Sequence, residues 1–195
     1  TQNPIESEGV YQLPDAQRDR FMMKILLTHP TPDEEMLILD RMVVEAPQPA
    51  QVIDLEGLQS LQAAADGVFI DRSVQQYAVD LVQATRNPER AGLADLSSMI
   101  ALGASPRASI FLNLAARAHA FLRHRGYVTP EDIKAVGVDV LRHRVNLTYA
   151  AEAEASTSEQ VVRRWFETIE GPYPYAGTRS SQEYPQTRAA PPPPG

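Results

Sequence analysis

The sequence predicts a mainly α-helical protein. Three observations carry that prediction. Thr31-Pro32, Ser105-Pro106 and Thr129-Pro130 each set a good N-cap before a proline, which fits the first helical position because its missing N–H is not needed there. Val74, Tyr77, Ala78, Leu81 and Val82 recur at the spacing that gathers side chains on one helix face. Arg123, His124 and Arg125 precede Gly126, a pattern favoured at a helix C-terminus.

Taken in order, residues 9–19 read as a loop with one short helix after Pro14. Phe21–Thr28 is a short apolar run suited to a buried strand. Thr31 caps a helix that reaches about Val43, and Glu34 can close a capping box. Ala46–Ala50, with Pro47 and Pro49, reads as a linker and the boundary between two units. Asp54 caps a helix to about Asp66, and Asp71 caps the helix bearing the Val74–Val82 stripe. Asn87–Gly92 reads as a polar loop. The helix over 106–125 is expected to bury Phe111, Leu114, Ala115, Ala118 and Leu122. The Thr129 helix turns Ile133, Val136, Val140 and Leu141 inward, at the expense of Gly137, which costs about 1 kcal/mol relative to alanine. A last helix runs from Ser158 to about Glu170. The segment from Pro172 to Gly195 has seven prolines and little to bury, and is expected to be disordered.

The chain has 195 residues, enough for one ordinary domain or two small ones. Its net charge of −7 is unevenly spread: residues 1–104 carry 7 Lys/Arg against 16 Asp/Glu, whereas residues 105–149 carry 7 against 3. The basic block is either an anion-facing surface or a solvated helix face. No aromatic residues interleave with its arginines as a single-strand groove requires, so nucleic acid is not expected as a partner. The chain has no cysteine, and no apolar run approaches membrane-spanning length; a cytoplasmic location is expected. It begins at Thr1 without a methionine, and a piece of a longer protein is expected.

Arg107 is the first candidate functional residue. Behind the Ser105 cap and Pro106 it occupies the second helical position, beside unpaired N–H groups and the positive end of the helix dipole. A cation there works against the dipole unless an anion shares the site. The other reading is an arginine that reaches away to a surface carboxylate.

The segments GASPRAS (103–109), GYVTPEDIKAV (126–136), VLRHRVNLTYAAEAE (140–154) and VVRRWFETI (161–169) closely resemble the C-terminal lid of the MoxR family of AAA+ ATPases. TQNPIESEGVYQLPDAQRDRF (1–21) resembles the stretch of that family from sensor 1 to the arginine finger. The resemblance implies the end of an α/β AAA+ core over 1–46, a helical lid over 50–170 and a tail over 171–195 outside the match. It also implies that Asn3 takes the sensor 1 place, which helps position the attacking water. Arg20 takes the place of the finger that reaches a neighbouring subunit's nucleotide, and Arg107 that of sensor 2, which closes on the phosphates of its own subunit. For Asn3 the local alternative is an Asn-Pro turn, and for Arg20 a pair with Asp19 or Asp15. Where the family usually has an apolar residue before Asp-Arg-Phe, this chain has Arg18, which competes with Arg20 for the finger assignment.

The residues that cradle and hydrolyse a nucleoside triphosphate are not in this sequence. The two lysines, Lys24 and Lys134, follow no glycine-rich loop, and Asp40 ends an apolar run that the Thr31 cap makes helical. The chain alone is therefore expected neither to bind ATP tightly nor to hydrolyse it, and ATP with Mg belongs to the full-length protein. His119 and His124 are five apart, which does not give the i,i+4 face of a zinc pair, and His143 between two arginines reads as structural. Tyr173, Tyr175 and prolines 191–194 read as a flexible tail or a peptide docking motif. The resemblance further implies a homo-oligomeric ring, a hexamer, that remodels client proteins or matures their cofactors, with partners carrying a von Willebrand factor A domain. The alternatives are another AAA+ enzyme, of magnesium chelatase or helicase type, and a non-catalytic helical interaction module.

Overall fold

The computed structural model describes residues 13–43 and 48–172. Eight α-helices lie among them: α1 (Asp15–Arg18), α2 (Pro32–Met42), α3 (Leu55–Asp66), α4 (Arg72–Arg86), α5 (Pro106–Leu122), α6 (Pro130–Leu141), α7 (Tyr149–Ala153) and α8 (Ser158–Thr168). Two short strands, β1 (Ile100–Leu102) and β2 (Asn146–Leu147), pair antiparallel. The fold is mainly helical, as the caps and periodicity predict. Residues 46–47 of the expected linker and nearly all of the expected tail, 173–195, lie outside the described residues.

The caps form as read. Thr31 accepts from the Glu34 backbone N–H while the Glu34 carboxylate accepts from the Thr31 N–H, closing the box. Asp54 and Asp71 cap α3 and α4. Ser105 accepts from the Arg107 N–H at the start of α5, and α8 carries a box not expected from the sequence, Thr157 with Gln160. At α6 the box partner is Asp132.

The core is a bundle of α4, α5, α6 and α8. The predicted α4 stripe of Val74, Tyr77, Ala78, Leu81 and Val82 is buried throughout, as are Ile133, Val136, Val140 and Leu141 of α6. Trp165 and Leu112 complete the centre. Gly137 has a packing reason: a Cβ there would lie 2.0 Å from Phe166 Cζ, so the aromatic ring of α8 occupies the space that a side chain on α6 would take.

Four expectations need correcting. The buried face of α5 matches the predicted one only at Ala115, with Phe111 half-buried. Ala108, Leu112, Ala115, Ala116 and Ala120 point inward, and Leu114, Ala118 and Leu122 are exposed. In this alanine-rich helix the small residues let α6 and α4 approach closely around Leu112, while Ile110, Leu114 and Leu122 are turned outward. The same helix ends at Leu122 rather than 125, and the left-handed residue past its end is His124, at φ 56°, not Gly126. Residues 21–27 form no strand, because a strand exists only by pairing and no described strand lies beside them; instead the Lys24 N–H donates to the Asp139 carbonyl at the end of α6. Finally, the Asn87–Gly92 loop contains a 3-10 turn over Pro88–Ala91.

Candidate functional site

The N-terminus of α5 is set by α4. The Thr85 hydroxyl accepts from the Ala104 N–H at 2.9 Å, and the Arg86 Nε–H donates to the Ala104 carbonyl at 2.7 Å. Gly103 lets the two backbones meet, since a Cβ there would fall 2.4 Å from the Thr85 carbonyl oxygen. Ser105 and Arg107 follow this clamp, so their positions are fixed relative to the bundle.

Arg107 stands where the sequence places it, at the second position of α5, with its side chain 55% exposed. Its Nη1–H donates to Asp19 Oδ2 at 3.3 Å. The reading that sends this arginine to a carboxylate and the reading that gives it an anion at the helix start thus meet in one contact. Asp19 is more than a surface partner. Ser105 Oγ lies 2.8 and 2.9 Å from its two oxygens, and Arg144 Nε donates to Oδ1 at 3.1 Å. Burial raises the Asp19 carboxyl pKa, but hydrogen bonds from Ser105 and Arg107 and the Arg144 charge outweigh it and hold the group below its usual range.

Arg144 follows α6 and is fully buried at its side chain. Its five N–H groups all find acceptors: Nε the Asp19 carboxylate, Nη1 the carbonyls of Met22 and Val140, Nη2 those of Asp19 and Phe21. The guanidinium carbon lies 4.9 Å from the centroid of the Phe111 ring of α5. Next to it His143 donates from Nε2 to the Phe21 carbonyl at 3.1 Å. Burial, with the Arg144 charge adding to it, pushes the His143 imidazole down to about 4, so it is neutral near pH 7 and structural, as expected.

Arg20 is exposed and makes no side-chain hydrogen bond or ion pair with any described residue. Both local partners considered for it are taken. Asp15 pairs with Arg18 and accepts from Asn146 Nδ2 at 2.6 Å, and Asp19 is held by Ser105, Arg107 and Arg144. Arg18, the rival for the finger place, is folded back on Asp15. Asn3 lies outside the described residues. Among the described residues no cluster could hold a metal ion, and no helix is long and apolar enough to cross a membrane.

Sequence reasoning missed Asp19 as a hub and Arg144 altogether as a site residue. The signal for Arg144 was present but weak: it lies three residues past Leu141, the last residue of α6, behind Arg142 and His143, in a run of cations at a helix end. Its partners, 122 to 125 residues away, gave no local sign.

Residues 94–165 match the AAA lid domain, and residues 1–23 match the ATPase family associated with various cellular activities (AAA). Chaperone MoxR1 of Mycobacterium tuberculosis is 48% identical over 169 residues, 87% of this chain and 45% of that protein. Protein MoxR of Paracoccus denitrificans is 36% identical over 77% of this chain and 48% of its own length. This chain belongs to the MoxR family of AAA+ ATPases. A solved structure of a candidate ATPase from Cytophaga hutchinsonii superposes with a TM-score of 0.84 at 40% identity, covering 88% of this chain and 53% of that one. The chain thus spans about half the length of the MoxR relatives it matches, and the part it spans is the helical AAA+ lid with the segment before it.

Proposed function

We propose that the full-length protein hydrolyses ATP between the subunits of a homo-oligomeric ring, and that this chain contributes the groups that sense and complete the site. Arg107 contacts the phosphates of its own subunit's nucleotide, Arg20 reaches those of the neighbour, and Asn3 orients the attacking water. The observation that carries this reading is the contrast between two arginines beside one carboxylate. Arg107 is half-exposed at a helix N-terminus and leans on Asp19 at 3.3 Å, whereas Arg20, the next residue along, projects from the same loop with no described partner.

The residues fit a phosphate. Arg107 already holds an anion at a helix start, and a guanidinium stays charged and offers a planar fork of donors to a phosphate oxygen. ATP with Mg supplies the labile phosphoanhydride bond; the residues here bind and orient its terminal phosphate and balance its charge. The cradle for the phosphates lies outside this sequence, so the chain alone is inactive. The name of the mycobacterial relative supports a chaperone-like role, with remodelling or cofactor insertion in client complexes as the work done. A hexameric ring, partners with a von Willebrand factor A domain and a cytoplasmic setting complete the reading.

The test is ATP turnover by the full-length protein and its Arg107→Ala, Arg20→Ala and Asn3→Ala variants. Each is expected to lose at least tenfold, the order of effect seen when a transition-state donor is removed. In mixed rings, subunits with an intact Arg20 but a disabled phosphate loop should partly restore the Arg20→Ala protein, because the finger acts in trans. Unchanged turnover in all three variants would overturn the assignment and return these residues to local structural roles.

A further inference from the structure

We propose that Arg144 and Asp19 are positioning residues that fasten the Arg20 loop to the lid, so that the lid of a subunit sets where that subunit presents Arg20 to its neighbour. The proposal rests on the reading of Arg20 as the arginine finger.

The loop 19–24 is held from the lid side at almost every residue. Arg144 binds the carbonyls of residues 19, 21 and 22 and the side chain of Asp19. His143 holds the Phe21 carbonyl a second time, Met23 packs against the lid core, and the Lys24 N–H meets the Asp139 carbonyl at 2.9 Å. Just upstream, Asn146 donates to Asp15. Within this wrapped turn the side chains of Arg20, Phe21, Met22 and Lys24 remain exposed, and Arg20 presents a guanidinium to solvent with no described partner. Three carbonyls turned inward around one guanidinium fix the backbone on both sides of residue 20, and that constrains where its side chain can go.

A buried arginine is a poor device for stability alone. Withdrawing a guanidinium from water is costly before any attraction is counted, and an apolar residue of similar volume often serves the core as well. What the arginine supplies is direction: five donors in a rigid plane, all satisfied, with that plane stacked against Phe111. Asp19 then joins the loop to α5, since its carboxylate meets the Ser105 cap and Arg107. One carboxylate therefore connects the arginine that reads a subunit's own nucleotide with the arginine offered to the next. Drawing Arg107 toward a phosphate removes one of the three side chains on Asp19 and leaves Ser105 and Arg144, so the loop stays fastened and moves with α5.

The experiment uses full-length rings carrying Arg144→Lys, which keeps the charge but cannot make the five-donor fork, and Asp19→Asn, which keeps the shape. Arg20→Ala is the reference. Turnover, nucleotide affinity with a non-hydrolysable ATP analogue, and hydrogen exchange at the amides of residues 20–24 are measured together. Both variants are expected to lower kcat at least tenfold with less than threefold change in KM and in analogue affinity. Exchange at 20–24 should accelerate at least tenfold, and mixed rings with phosphate-loop-dead subunits should recover turnover as Arg20→Ala does. Faster exchange with unchanged kcat would overturn the proposal, as would a kcat defect that intact neighbours do not rescue, since that marks a structural role in the subunit's own lid. If Arg144→Lys fails to fold, Asp19→Asn decides on the same readouts. Should Arg20→Ala itself leave turnover unchanged, the finger reading fails; should Arg20→Ala abolish turnover while Arg144→Lys and Asp19→Asn leave it intact, the positioning inference alone fails.

Discussion

Helices α2 and α8 are alike as sequences and unlike as parts of a protein. Each has 11 residues and a complete capping box. Yet α8 buries Val161, Val162, Trp165 and Phe166, whereas α2 buries nothing and leaves Met36, Leu37, Ile38, Leu39 and Met42 about half-exposed. The difference extends to their surroundings. From Val68 onward the residues share one continuous core, while none of the described residues before Val68 is buried. Caps fix where a helix starts, because they satisfy N–H groups that no neighbour has to supply. Whether the helix is held depends on a surface that its own sequence does not contain. The loop 19–24 is the exception in the first region, and it is held by hydrogen bonds from the lid rather than by apolar burial, apart from half-buried Met23.

The comparison can be broken at its strongest point first. Asp132 is 1% exposed and forms a bidentate pair with Arg125, while His119 Nδ1 lies 2.7 Å from Oδ1 and the Thr129 N–H donates to Oδ2 at 2.8 Å. Asp132→Ala removes the carboxylate that answers Arg125 and the cap of α6 together. A loss of about 3–5 kcal/mol is expected in urea titration; a loss below about 1 kcal/mol would mean that the lid core is not organised by this cluster.

Acid should act on the second region more selectively. His143 in the folded chain takes a proton only near pH 4, but in the unfolded chain near 6.5. Between those values the unfolded state holds more protons, so stability is full above about pH 6.5 and declines as pH falls toward 4. The whole decline is about 3 kcal/mol. The charges of Arg144, Lys24 and Arg18 all oppose a proton there. His143→Gln keeps a donor for the Phe21 carbonyl but cannot titrate, so its melting temperature should vary less with pH across this window. An identical pH profile in the two proteins would remove His143 from the account.

The smallest effect belongs to α2. Leu37→Ser at a side chain 46% exposed is expected to shift stability by about 0.5 kcal/mol or less. A cost several times larger, measured by the same titration, would show that α2 is held after all and would erase the contrast with α8.

How much was legible follows the same division. Caps are local, so the starts of α2, α3, α4, α5 and α6 could be read from the sequence. The α4 stripe was legible because most of its residues are large and most other positions of the helix are polar. In α5 that rule failed: Phe111, Leu114 and Leu122 marked a face by size, but the packed face is the one with alanines, where small volume is what contact requires. Strands β1 and β2, with three and two residues 44 or more apart in sequence, carried no periodic signal. At the site, Arg107 was legible through its cap, whereas the Asp19–Arg144 contact depends on the closure of a long chain segment. Arg142-His143-Arg144 showed only that charge gathers there.

Gly103 sets a limit on variation. With the Thr85 carbonyl oxygen 2.4 Å from where a Cβ would sit, and with Thr85 and Arg86 bound to Ala104, the approach to α5 has no slack. Even alanine would have to push two backbones apart, and the displacement would pass through four peptide units to Arg107. Position 103 is therefore a one-letter position for redesign, and a randomised library across 103–110 will return glycine there while leaving exposed Ile110 free to drift.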